Sequence, residues 1–88
     1  MTQDLAALRE QIDQIDDQLL ALLDQRMELA KQVAQAKQET GKAIFDPERE
    51  KQLFERLEQK LADKHYDSEK IIKIWEPILE ISRDVQNR

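Results

Sequence analysis

From residue 4 to residue 40 the chain has no glycine and no proline, and its apolar residues keep a helical beat. Leu5, Leu8, Ile12, Ile15, Leu19 and Leu22 alternate steps of three and four, which lines them up along one face of an α-helix. Gly41, the only glycine in the chain, then supplies a helix stop. At 1.5 Å per residue, such a helix is a rod ~55 Å long. A compact chain of this size has a radius of gyration of only ~12 Å. The remaining residues are too few to bury the rod, so its apolar stripe calls for a second long helix, most simply from another copy of the chain.

Composition narrows the class. Eighty-eight residues make one small domain. With one Gly, two Pro and no Cys, the composition excludes a disulfide scaffold and argues against a turn-rich all-β fold. The net charge of −5 argues against nucleic acid or an anionic membrane as partner. Any basic cluster must therefore be local, as in a pocket for a small anion. The start, MTQDLAALRE, has neither a basic nor an apolar export segment, and the run LLALL at 19–23 is too short to span a membrane. A cytoplasmic location is expected.

Two shorter helices follow. TGKAIFD (40–46) reads as a loop, residues 47–63 as a helix with Leu53, Leu57 and Leu61 inward, and KHYDS (64–68) as the next connection. Ser68 is the expected cap of a third helix over 68–86, whose apolar side carries Ile71, Trp75, Ile78 and Leu79. Pro77 lies inside it, removes one backbone bond and should bend it. The expected fold is all-α: three helices in a single domain, the first very long, paired as an intertwined homodimer.

Each helix interrupts its apolar side with polar groups. Beyond Leu22 the first stripe lands on Arg26, Ala30, Val33 and Lys37. Arg26 and Lys37 are 11 residues apart, so they share a face within ~20° and lie ~16 Å apart along the axis. Glu50 precedes Leu53 by three and Leu57 by seven, and Arg49 sits beside it. Ser82 follows Ile78 by four, and Gln86 follows Ser82 by four. A cation on a seam can also be a snorkelling side chain or a register device. Ser82 and Gln86 can equally be solvated residues of a final turn. Their convergence is what favours a site: cations, an acid, an amide and a hydroxyl suit a compact polyanion bearing a hydroxyl. No nucleophile–base pair, metal-ligand cluster or glycine-rich phosphate loop is apparent.

The stretch FDPERE (45–50) points the same way. Asp46 and Pro47 read as an N-cap and first helical residue. Arg49 then places a cation in the first turn, against the helix dipole, where a capping box would put Glu or Gln. Local rules tend to be broken where a site needs the residue.

These residues carry a resemblance. LR-QID-ID-QLL-LL--R-ELA (8–30), Lys37, DPERE (46–50) and S---Q (82–86) are together similar to the all-helical chorismate mutases, the AroQ class, over essentially the full length. The resemblance implies a homodimer intertwined through the long first helices, with two active sites. It implies that Arg26 binds a substrate carboxylate from its own chain and that Arg9 reaches into the other chain's site. Lys37 and Gln86 would donate to the ether oxygen. Asp46 and Glu50 would hold the region of the ring hydroxyl and Lys37, and Arg49 and Ser82 would complete the anion-binding wall. Pro77 and Arg83 are the positions expected to behave least typically.

Spacing bears on Arg9 independently. It is 17 residues from Arg26, or ~25 Å along one helix, farther than a ligand the size of chorismate can bridge. The implied reaction, chorismate to prephenate, is a rearrangement within one molecule, so neither cofactor nor metal is expected. Two rival readings differ in class. An isochorismate pyruvate-lyase shares the fold, but those relatives tend to lack an acid at the position of Glu50. A non-catalytic helical dimerisation or regulatory module would prefer Leu or Ile at positions 26 and 37.

Overall fold

The computed structural model describes residues 4–41 and 46–87. Among them the secondary structure is three α-helices: α1 (Leu5–Thr40), α2 (Pro47–Leu61) and α3 (Ser68–Gln86). Residues 42–45, most of the loop expected between the first two helices, lie outside the described residues.

Local chemistry sets each helix end. Asp4, in extended backbone, accepts a hydrogen bond from the Ala6 amide at 3.1 Å and so caps α1. At the other end Gly41 takes φ 73°, a left-handed conformation open to glycine at no steric penalty, and its N–H turns back to Gln38 and Lys37. Asp46 Oδ1 accepts from the Arg49 amide at 3.1 Å, with Pro47 in the first turn of α2. The helix stops at Leu61 rather than near Asp63. Ala62 N–H bonds to Gln59 and Lys64 N–H to Leu61, tighter three-residue closures that end the α-helical ladder.

The cap of α3 is Asp67, not Ser68. Its carboxylate accepts from the amides of Glu69 (3.1 Å) and Lys70 (3.3 Å), while Ser68 is already the first helical residue. One carboxylate answers two orphan N–H groups here, and the negative charge also suits the positive end of the dipole. Pro77 is exposed and does not end α3, which runs through it to Gln86.

Packing divides α1 in two. Its C-terminal half lies on α3, and α3 also packs against α2. The buried apolar residues are Met27, Ala30 and Ala34 of α1 with Leu53 and Leu57 of α2, and Ser82 of α3 is buried among them. Met27, Ala30 and Ala34 recur by three and four, and two of the three are alanines, which lets α3 approach closely. Trp75, expected in the core, is only half-buried, as are Ile71, Ile78 and Leu79.

The N-terminal stripe is left in the open. Leu5, Ile12, Ile15, Leu19 and Leu22 are between 55% and 59% exposed. The exposed row continues through Leu29 (58%) to Val33 (44%). The chain measures 59 × 27 × 15 Å, with a radius of gyration of 16.9 Å against ~12 Å for a compact chain of this length. No helix among the described residues is long and apolar enough to cross a membrane.

Candidate active site

Where α1, the start of α2 and the end of α3 converge, they enclose a cavity of ≈ 280 Å³. Arg26 and Lys37 enter from α1, Asp46, Arg49 and Glu50 from the first turn of α2, and Ser82, Arg83 and Gln86 from the last turns of α3. Leu29, Ala30, Val33 and Leu79 supply the apolar part of the wall. Seven of the eight candidate residues read from the sequence therefore meet in one place. The eighth, Arg9, is exposed near the far end of α1 and does not line the cavity.

The local geometry follows from helix periodicity. Arg26, Ala30, Val33 and Lys37 form one row along α1, so its cations bracket a short apolar floor. The Asp46 cap turns the chain so that residues 49 and 50 leave the first turn of α2 toward that floor. Asp46 thus has a structural task besides lining the cavity, since its carboxylate holds the Arg49 amide.

Hydrogen bonds fix several of the donors. Arg26 Nη1 donates to Ser82 Oγ at 2.7 Å. The Ser82 hydroxyl in turn donates within its own helix to the Ile78 carbonyl at 3.0 Å, a better acceptor than Met27 Sδ at 3.7 Å. Gln86 Nε2 donates to the Ala30 carbonyl at 3.2 Å. A carbonyl can only accept, so this contact orients the amide with its nitrogen toward α1 and leaves a second N–H to offer. Arg83 Nη2 donates to both oxygens of Glu50, at 3.2 and 3.0 Å.

Four cations against two acids make this region positive on an acidic chain. Burial lowers the Arg26 guanidinium from its ordinary pKa, and repulsion from Arg49 and Arg56 adds to the effect. An arginine remains charged at any working pH even so. What the shift records is a guanidinium taken partly out of water and crowded by like charges, a state that an incoming anion relieves. A second hollow of ≈ 400 Å³ has no such character: its single charged group, Lys31, is engaged by Glu28 at 3.1 Å.

Sequence reasoning undervalued two wall residues. Leu29 lies on the exposed row of α1 that also carries Leu22 and Val33, and extending the stripe by seven from Leu22 finds it. Arg83 adjoins Ser82 and stands out in sequence only as an atypical position beside the site; its partner, Glu50, is 33 positions away.

Known proteins resemble the chain in both sequence and fold. Residues 8–87 match the family described as chorismate mutase type II. A chorismate mutase of Methanocaldococcus jannaschii is 40% identical over 89 residues, covering all of this chain and 89% of that protein. The bifunctional chorismate mutase/prephenate dehydratase of Escherichia coli K12 is 41% identical over 78 residues, covering 89% of this chain but only 20% of the longer protein. The solved structure of chorismate mutase (form II) from Thermus thermophilus superposes with a TM-score of 0.83 at 28% identity, covering 96% of this chain and 94% of that one. The chain belongs to the type II chorismate mutase family.

Proposed function

We propose that this chain is a chorismate mutase, converting chorismate to prephenate in aromatic amino acid biosynthesis, as an intertwined homodimer whose two sites each draw on both chains. Family membership carries the reaction. The cluster of Arg26, Lys37, Arg49, Glu50, Ser82 and Gln86 around one cavity supports the site. Its reaction setting is the cytoplasm.

The chemistry fits the residues. Chorismate is a dianion, and the rearrangement breaks a C–O bond as a C–C bond forms within the same molecule. No proton moves in that step, so no side chain has to act as base or nucleophile. Two tasks remain. The flexible dianion has to be held in the folded conformer from which it reacts, and the charge growing on the ether oxygen has to be stabilised. The guanidinium groups of Arg26 and Arg49 perform the first by gripping carboxylates, Arg26 being held in line by Ser82. Lys37 and the second N–H of Gln86 perform the second. Asp46 and Glu50 receive the ring hydroxyl and steady Lys37. An acceleration of ~10⁶-fold requires only ~8 kcal/mol from both effects together.

The exposed row of α1 supports the homodimer. It runs from Leu5 to Val33 with Leu19 at its midpoint. An antiparallel pairing of two copies about a two-fold axis at Leu19 sets Leu5 opposite the partner's Val33. The same operation sets Arg9 of one chain opposite Leu29 of the other. Leu29 lines the cavity, so the partner's Arg9 arrives at the site as a further cation. Burying such a row in a self-complementary contact is the usual solution for a symmetric pair.

Incubating the purified protein with chorismate and, separately, with isochorismate tests the reaction. Prephenate from chorismate is expected. Pyruvate release from isochorismate, with no prephenate from chorismate, would make the chain a lyase, and silence with both would leave a helical dimerisation module.

A further inference from the structure

Arg83 stands one residue past Ser82 and lines the same cavity. Both oxygens of Glu50 accept from its Nη2, at 3.0 and 3.2 Å, so the pair bridges α3 to the first turn of α2. Neither group is freely solvated: the side chain of Glu50 is 23% exposed and that of Arg83 38%. The other charged groups around the cavity are Arg26 and Lys37 from α1 and Asp46 and Arg49 from α2.

A carboxylate in this position poses a problem. Glu50 faces a cavity built for an anion, and like charges a few ångströms apart repel strongly where water is partly excluded. A counter-charge at hydrogen-bond distance cancels most of that repulsion. Contact with both oxygens also restricts how the carboxylate can turn. We infer that Arg83 is a positioning residue. It acts through Glu50, holding the carboxylate in one orientation toward the ligand's hydroxyl end and cancelling its repulsion of the dianion. The inference rests on the chorismate mutase reading above.

The consequence falls on binding more than on the chemical step. The substrate and its transition state carry the same total charge, so an uncancelled Glu50 repels both alike and raises KM with less change in kcat. The test compares wild type, Arg83→Leu, Arg83→Lys, Glu50→Gln and the Arg83→Leu/Glu50→Gln double variant, with chorismate as substrate. Arg83→Leu should raise KM ~10-fold while kcat moves less, and Arg83→Lys should restore most of the loss. In the Glu50→Gln background the same Arg83→Leu change should raise KM clearly less, because no carboxylate is left to orient and only the loss of one cation near the dianion remains. An equal loss in both backgrounds would overturn the inference, since Arg83 would then grip the substrate directly. A lowered unfolding temperature with unchanged KM would also overturn it, leaving Arg83 a helix-to-helix tie. Wild type that fails to turn over chorismate removes the underlying mutase reading as well, whereas active wild type with an indifferent Arg83→Leu removes this inference alone.

Discussion

Arg26 and Ser82, 56 positions apart in sequence, meet through a 2.7 Å hydrogen bond that joins α1 to α3 in the wall of the cavity. The serine is buried, and its own proton is engaged by Ile78, so it serves the arginine as an acceptor. Hydrogen bonds to a charged group contribute about 1.5–3 kcal/mol. Ser82→Ala should therefore lower kcat/KM roughly 10- to 100-fold and also lower the melting temperature, since the same bond ties α1 to α3 and alanine's better helix propensity offsets only part of its loss. Steady-state kinetics beside a melting curve checks this. Unchanged kinetics would mean that Arg26 needs no such holder.

Asp46 has two tasks that substitution can separate. Asparagine keeps the oxygen that caps α2, whereas alanine removes it at a loss of about 0.5–2 kcal/mol. Asp46→Asn should melt close to wild type yet have reduced kcat/KM, and Asp46→Ala should lose both stability and activity. If Asp46→Asn is as active as wild type, Asp46 is a cap and nothing more.

Gln86 donates to Ala30 and has a second N–H to offer the ether oxygen. Gln86→Glu replaces that donor with a carboxylate, which repels the developing charge. Activity should fall sharply at neutral pH and return in part as the medium is acidified toward a glutamic acid's ordinary pKa, ~4.3, where the protonated side chain can donate again. A flat pH profile at near-normal rate would take Gln86 out of the reaction.

How far the sequence alone leads differs between the two halves of α1. An uninterrupted three–four beat with one terminal glycine announces a long helix, since nothing in that stretch competes with helical backbone. The same beat cannot say which side α3 covers. The row of Leu22, Arg26, Ala30 and Val33 stands out in sequence, yet of these only Ala30 is buried, and the contact with α3 extends to Met27 and Ala34 beside the row, where small side chains permit close approach and leave no strong pattern. Asp67 and Ser68 are both good caps and are adjacent, so only the backbone geometry decides between them. In the site, Arg26, Lys37, Glu50, Ser82 and Gln86 were legible because each breaks an apolar periodicity. Arg83 breaks none, and its role depends on a partner that only the packing of α3 against α2 brings near.

Leu19 lies at the midpoint of the exposed row and is 59% exposed in the single chain. In an antiparallel pair it meets its own copy, so Leu19→Glu sets two carboxylates face to face. The variant should sediment as a monomer at concentrations where wild type is a dimer, with reduced helicity and no activity. A fully active dimeric variant would move the two-fold axis away from Leu19.

If each site is built from two chains, mixing two inactive variants should restore activity. Arg9→Ala and Lys37→Ala should each be nearly inactive as homodimers. Unfolded together in equal amounts and refolded, they pair at random, so about half of the dimers are mixed. By the two-fold symmetry, each mixed dimer holds one site with both lesions and one with neither. Activity should recover to roughly a quarter of wild type. No recovery, with mixed dimers verified by native mass spectrometry, would contradict a shared site and return Arg9 and Lys37 to sites within single chains.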